Sequence, residues 1–142
     1  MIDFLIGVAV AIAFLLLVRL AAPEHALALY AVALIVAALV YVAFALLGNA
    51  PTKWIVFELL GLVIYGAAAW LGLRKARALL AIAWAAHALW DMLLHLQGAG
   101  ALYTPDWYPW ICAGFDIAVG AAILLPIARQ RATRFTAASS GR

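Results

Sequence analysis

The sequence predicts an all-α fold, a polytopic membrane bundle of about five transmembrane helices. Of its 142 residues, 70% are hydrophobic and 11% are charged, and the mean hydropathy is +1.14. Soluble domains are nearer half apolar, and a soluble chain of this length would lack the polar side chains needed to cover so much apolar surface. The second observation is that the apolar residues fall into five runs of about 20 residues, the length that crosses a bilayer.

Turn-forming and basic residues separate the five runs. Pro23 follows the first run, Pro51 follows the second, and residues 74–77 form a basic break after the third. The longest connection covers residues 98–107. The predicted spans are residues 4–20, 26–47, 54–73, 78–96 and 108–127. We therefore expect one transmembrane domain over residues 1–128, followed by a basic, flexible cytoplasmic tail over residues 129–142.

The charged residues predict how the chain is oriented. The first run follows Asp3 with no Lys or Arg before it, the reverse of a cleaved signal peptide, so we expect a retained helix. With the C-terminus in the cytoplasm, eight of the nine Lys and Arg residues lie inside and only Lys53 lies outside. The positive-inside rule then places the N-terminus outside and the C-terminus inside. The net charge of +3 is thus a consequence of topology, and we expect no nucleic-acid partner.

Three of the spans carry ionisable side chains, which are rare inside lipid. His87, Asp91 and His95 follow one another at four-residue intervals in the fourth span and share one helical stripe. Asp116 lies in the fifth span and Glu58 in the third. Counted inward at about 1.5 Å per residue, the five side chains lie within roughly 6 to 15 Å of the predicted outer ends, with His87 the deepest. We expect them to meet in the outer half of the membrane.

The energetic cost of these residues favours a function over a purely structural role. One Asp near the centre of a transmembrane helix costs about 2.5 to 3.5 kcal/mol on insertion scales. An interhelical polar contact returns only about 0.6 to 2 kcal/mol. A hydrogen-bond cluster that only locks the helices together is the structural alternative, with both histidines donating to the three carboxylates.

A metal site is the sharper interpretation. Histidine and carboxylate ligands suit Zn²⁺, Mn²⁺ or Fe²⁺, and we assign His87, Asp91 and Asp116 as the ligands. His95 lies two turns, or about 12 Å, from His87, so both can bind one ion only if the helix bends. Asp91 with either histidine is the expected chelating pair.

Four further residues are second-rank candidates. Cys112, the single cysteine, lies one turn before Asp116, and its size fits packing better than nucleophilic catalysis. Tyr65 lies two turns beyond Glu58. Trp84 and Trp90 are interpreted as packing residues or pocket walls.

The fourth and fifth spans resemble one known family, the small bacterial integral membrane proteins of domain of unknown function 6010. The similarity is close over residues 79–123 and limited to hydropathy elsewhere. Some members carry a second histidine beside the position of His95, where this chain has Leu94. The resemblance implies a multi-pass protein of the cell membrane, a bacterial inner membrane, with a recurring His/Asp core, and it implies no reaction. The residues that carry it are Trp84, His87, Trp90, Asp91, His95, Pro109, Cys112 and Asp116.

Three functions are compatible with these patterns. The first is a membrane-embedded enzyme that acts on a lipid or another apolar substrate, with a divalent ion or with acid–base groups alone. The second is a proton or metal-ion relay, which with so few spans would require a homodimer. The third is a small subunit with a stabilising polar core. No motif names a substrate. The predicted catalytic residues are His87, Asp91, His95, Asp116 and Glu58.

Overall fold

Five helices make up almost the whole of the computed structural model, which describes the backbone of residues 1–140 and the side chains of residues 1–125. A 3₁₀ turn at Pro23–His25 precedes the second helix, a π-helical turn at Asp91–Leu96 extends the fourth, and another 3₁₀ turn at Ala99–Leu102 follows it. The helices are α1 (Ile2–Ala21), α2 (Ala26–Leu47), α3 (Thr52–Arg74), α4 (Arg77–Trp90) and α5 (Tyr108–Ser140).

All five helices are long and apolar enough to cross a membrane, with α4 and its π-helical turn counted as one span. The described residues contain no strand. The predicted all-α class and the predicted number of spans are therefore confirmed, and the chain is a multi-pass membrane protein by the length and composition of its helices.

The boundaries of the helices follow the local sequence. Asn49, with φ of 51°, turns the chain after α2 in the left-handed region that asparagine tolerates better than most residues. Pro51 then precedes the first residue of α3, where the missing N–H of proline removes no helical hydrogen bond. The predicted fourth span is one continuous stretch, but it changes from α to π geometry at Asp91.

Each helix packs mainly against one or two neighbours. α5 lies between α1 and α4, and α3 lies between α4 and α2, whereas α1 and α2 hardly touch beyond their connection. The membrane-length stretches of α4 and α5 are each 44% buried, against 17% for α1. α4 and α5 are thus the central pair of the bundle, and they carry most of the ionisable residues in the spans.

Two glycines allow α1 and α5 to pack backbone to backbone. A Cβ atom at Gly7 would lie 2.0 Å from the carbonyl oxygen of Ile111, and one at Gly114 would lie 2.1 Å from that of Phe4. Small residues at such contacts are the usual means of close helix packing in lipid, where no hydrophobic effect draws the helices together.

The C-terminal part of α5 continues as a helix to Ser140. The side chains from residue 126 onward and all of residues 141–142 lie outside the described part of the chain. The flexible tail over residues 129–142 stays a prediction.

We predict that Gly114→Ala and Gly7→Ala destabilise the bundle by about 1 to 3 kcal/mol, the usual cost of overpacking. Gly66→Ala is the matched control, because a Cβ at Gly66 meets nothing within 4 Å. The higher helix propensity of alanine should raise the stability of the control variant by up to about 1 kcal/mol. Thermal unfolding in detergent measures the difference. An unchanged or raised melting temperature for Gly7→Ala would contradict the α1–α5 packing.

Candidate functional site

The central helix pair brings three ionisable side chains together. His87 of α4 and Asp91, the first residue of the π-helical turn, lie one turn apart, and α5 presents Asp116 opposite them. All three residues are at most 1% exposed. We call His87, Asp91 and Asp116 the triad.

The nitrogen and oxygen atoms of the triad lie close enough together to bind one ion. Nδ1 of His87 lies within hydrogen-bond distance of Oδ2 of Asp116, at 2.8 Å, and 3.5 Å from Oδ2 of Asp91. One ligand atom from each residue lies within 4.8 Å of each of the others, so the triad could hold a metal ion.

Most of the polar atoms of the triad have no partner. Nε2 of His87, both carboxylate oxygens of Asp91 and Oδ1 of Asp116 are buried and have no hydrogen-bond partner among the described residues. A buried polar atom without a hydrogen bond costs about 1 to 3 kcal/mol, and more if it is charged. The triad therefore has unused binding capacity that an ion, a proton or a water molecule could satisfy.

The charges of the triad do not balance within the described part of the chain. His87 is the only described ion-pair partner of Asp91 and Asp116, and no Lys or Arg side chain within residues 1–125 forms an ion pair with either carboxylate. With both carboxylates ionised, the triad carries a net negative charge whether His87 is neutral or protonated. Burying such a charge in an apolar bundle is unfavourable unless a cation or a proton neutralises it.

The other two predicted site residues form a separate cluster. Nε2 of His95 lies 2.9 Å from Oε1 of Glu58, and the hydroxyl of Tyr103 donates to the same oxygen at 2.6 Å. Burial and the carboxylate of Glu58 raise the pKa of Tyr103, which keeps the hydroxyl protonated as a donor. We call Glu58, His95 and Tyr103 the Glu58 cluster.

Tyr41 of α2 lies between the two clusters. Its ring stacks on that of His95, with centroids 3.6 Å apart, and lies 6.0 Å from the ring of His87. Its hydroxyl is buried and has no partner among the described residues. Tyr41, His87 and Glu58 line one narrow gap in the packing, which is too small to hold a water molecule and lies between the triad and the Glu58 cluster.

The second-rank candidates surround the triad without joining it. The hydroxyl of Tyr65 donates a hydrogen bond to the carbonyl oxygen of Ala86 at 3.1 Å. The rings of Tyr65 and His87 form a T-shaped pair with their centroids 4.7 Å apart. Trp90 stacks on Phe57 with centroids 5.0 Å apart. These two residues are walls of the narrow gap.

Trp84 and Cys112 are buried near the triad. Trp84 packs against Phe115 with ring centroids 5.7 Å apart. Cys112 is buried one turn before Asp116 and is not among the residues that could share one ion. Both positions agree with the packing roles expected from the sequence.

The π-helical turn explains why the five predicted residues separate into two clusters. His87 and Asp91 share the α-helical spacing, but the turn at Asp91–Leu96 widens the helix, and His95 contacts Glu58 of α3 instead. The metal ligands assigned from the sequence are those that converge. His95 does not belong to the group of side chains that could share one ion with His87.

Sequence reasoning missed Tyr41 and Tyr103. Tyrosine is common at membrane interfaces, so Tyr103 in the α4–α5 connection does not stand out in the sequence as a site residue. Tyr41 is one of few polar groups in an otherwise apolar helix, which is the one signal that could have singled it out.

Comparison with known proteins identifies the family and nothing more specific. No curated protein and no solved structure matches the chain. The family model that matches is described as a family of unknown function, DUF6010, and it covers residues 2–129, nearly the whole chain. The resemblance seen over residues 79–123 therefore extends across all five spans, and the chain belongs to the DUF6010 family.

Proposed function

We propose that this protein binds one divalent metal ion inside the membrane and is an enzyme that hydrolyses a lipid or another apolar substrate. The observation that carries the proposal is the triad, in which three potential ligands converge while both oxygens of Asp91 have no hydrogen-bond partner among the described residues. His87, Asp91 and Asp116 are the proposed ligands, and Zn²⁺, Mn²⁺ or Fe²⁺ suits them.

Charge balance supports a divalent ion. A neutral His87 with two ionised aspartates carries two negative charges, which one divalent ion cancels. The competing arrangement, with His87 protonated and one aspartic acid neutral, also sums to zero but needs no metal. It would leave at least one oxygen of Asp91 without a partner in the described structure.

The spacing of the ligand atoms also supports a shared ion. Two ligands held at about 2.1 Å in a tetrahedral arrangement lie about 3.4 Å from each other. Nδ1 of His87 lies 2.8 Å from Oδ2 of Asp116 and 3.5 Å from Oδ2 of Asp91, so small side-chain movements suffice. Three protein ligands leave a fourth position for water or substrate, as catalytic zinc sites do.

The proposed chemistry follows from the position of the triad. A bound divalent ion makes water a nucleophile near neutral pH and polarises a carbonyl or phosphoryl oxygen. Hydrolysis breaks the bond between the acyl or phosphoryl centre and the leaving oxygen. The hydroxyl of water adds to that centre, and the remaining proton of the water goes to the leaving oxygen. Glu58 and His95 are the proposed carriers of that proton, because Glu58 and His87 border the same gap. A substrate that reaches a triad within the spans comes from the lipid.

The proposed orientation places this chemistry in the outer leaflet of a bacterial cell membrane. The support is the distribution of Lys and Arg, with eight of nine on the side of the C-terminus. The Glu58 cluster then faces the outside, since Tyr103 belongs to the α4–α5 connection.

A proton or metal-ion relay is the second candidate, and the Glu58 cluster favours it. Tyr103, Glu58 and His95 form a chain of hydrogen bonds from the α4–α5 connection into the bundle, and the ring of Tyr41, stacked on His95, lies between that chain and His87. Ionisable residues at such positions in a membrane mark ion pathways in general. A relay of five spans would function as a homodimer.

The first prediction of the proposal concerns metal content. Protein purified in detergent after growth with Zn, Mn and Fe should carry about one ion per chain, because three ligands and the charge balance favour one divalent ion. Asp91→Asn should carry less than about a tenth as much, since the lost carboxylate removes both a ligand and a charge. Elemental analysis by mass spectrometry measures both.

Asp106→Asn is the matched control, because Asp106 is exposed in the α4–α5 connection and the same chemical change there should leave the metal content intact. A wild-type protein without metal, even after supplementation, would reject the metal site.

The second prediction concerns the reaction. Wild-type protein incubated with bacterial polar lipids should release hydrolysis products that mass spectrometry detects, and Asp91→Asn should reduce the rate at least about 100-fold through loss of the activated water. Glu58→Gln should retain the metal and lose about 10² to 10⁴ in rate, the contribution of a proton carrier.

Proton flux into liposomes separates the two candidates. The enzyme predicts flux no greater than that of protein-free liposomes. The relay predicts proton flux well above this background that is lost in Glu58→Gln. Such flux, with no lipid product formed, would reject the enzyme in favour of the relay.

A further inference from the structure

A groove at the opposite end of the bundle opens between α1 and α2. It has a volume of about 830 Å³ and is closed at its base by α5. It forms because α1 packs along α5 and α2 packs along α3, which leaves α1 and α2 almost without mutual contact. The groove lies at the end of the bundle that carries the α3–α4 connection, so it is separate from the triad and the Glu58 cluster.

The walls of the groove are apolar along the helices and basic at the mouth. Leu15, Leu16 and Leu27 are among the residues of the walls, and Ile123 lies at the base. Arg19 and Arg77 line the mouth, on α1 and on the first residue of α4. This arrangement is complementary to an anionic phospholipid, in which hydrocarbon chains lie below a charged headgroup.

We propose that this groove binds one anionic phospholipid, with its phosphate between Arg19 and Arg77 and an acyl chain between α1 and α2. Neither arginine forms an ion pair with another described residue. Glu24, the one acidic group of the lining, lies 3.0 Å from the ring nitrogen of its neighbour His25. The two arginines therefore outnumber the acid at the mouth.

The charge and the position of the two arginines favour an anionic phospholipid as the ligand of the groove. Guanidinium groups bind phosphate oxygens through two parallel hydrogen bonds, and they do so at partly desolvated sites better than lysine does. Basic side chains at the membrane surface also attract anionic lipids over zwitterionic ones. From Ile12 to Arg19, α1 provides about 10 Å of groove wall, enough to hold part of one acyl chain.

The test is lipid binding measured by native mass spectrometry on delipidated, full-length protein. Phosphatidylglycerol and phosphatidylcholine with identical acyl chains are the two probes. We expect one tightly bound phosphatidylglycerol per chain and a weaker phosphatidylcholine adduct. Each of Arg19→Gln and Arg77→Gln should weaken phosphatidylglycerol binding about fivefold, the change expected for one basic residue at a lipid surface.

The matched control is the double variant Arg74→Gln, Lys75→Gln. It removes the same charge as Arg19→Gln, Arg77→Gln from the same end of the bundle, at residues that do not line the groove. Retained phosphatidylglycerol binding in the control supports the groove. Equal loss in both double variants, or equal binding of the two lipids by the wild type, would overturn the proposal.

A second copy of the chain is the competing occupant, and the same spectra test it. A dimer of the lipid-free protein that dissociates in Leu16→Trp, with no phosphatidylglycerol bound to the monomer, would assign the groove to that copy. A monomer that binds phosphatidylglycerol, with the adduct lost in Leu16→Trp, supports the lipid.

Discussion

The burial of two carboxylates between α4 and α5 constrains the rest of this structure. Asp91 and Asp116 are at most 1% exposed, and among the described side chains His87 is their only ionic partner. An apolar bundle in lipid cannot hold a net charge without several kcal/mol of cost, about 2.5 to 3.5 kcal/mol for one Asp on insertion scales. The folded state therefore requires a neutralising cation or proton, and our proposal assigns a divalent cation to this place.

The fold places the buried carboxylates at the centre of the bundle. The two most buried spans carry the triad, and close glycine packing holds α1 against α5 on its far side. The π-helical turn at Asp91–Leu96 then directs His95 away from the triad toward Glu58. One stretch of sequence thus contributes to two clusters of different composition, the triad, which could hold a metal ion, and the Glu58 cluster.

Most of the fold and the identity of the site residues could be predicted from the sequence, for one physical reason. Lipid tolerates few polar groups, so the spans stand out by hydropathy and Glu58, Asp91 and Asp116 stand out within them. The separation of His95 from His87 was expected from their distance along the helix, but the pairing of His95 with Glu58 could not be predicted, because it depends on the change from α to π geometry after Trp90. Tyr41 and the groove beside Arg19 were missed, because both depend on which helices pack together.

Anomalous X-ray diffraction from crystals of the metal-supplemented protein tests the central claim most directly. Data collected on either side of the absorption edge of the bound metal should give one difference peak per chain, about 2.0 to 2.2 Å from Nδ1 of His87 and from an oxygen of Asp91 and of Asp116. A well-ordered triad without an anomalous peak, with a proton shared between His87 and the aspartates, would contradict the account.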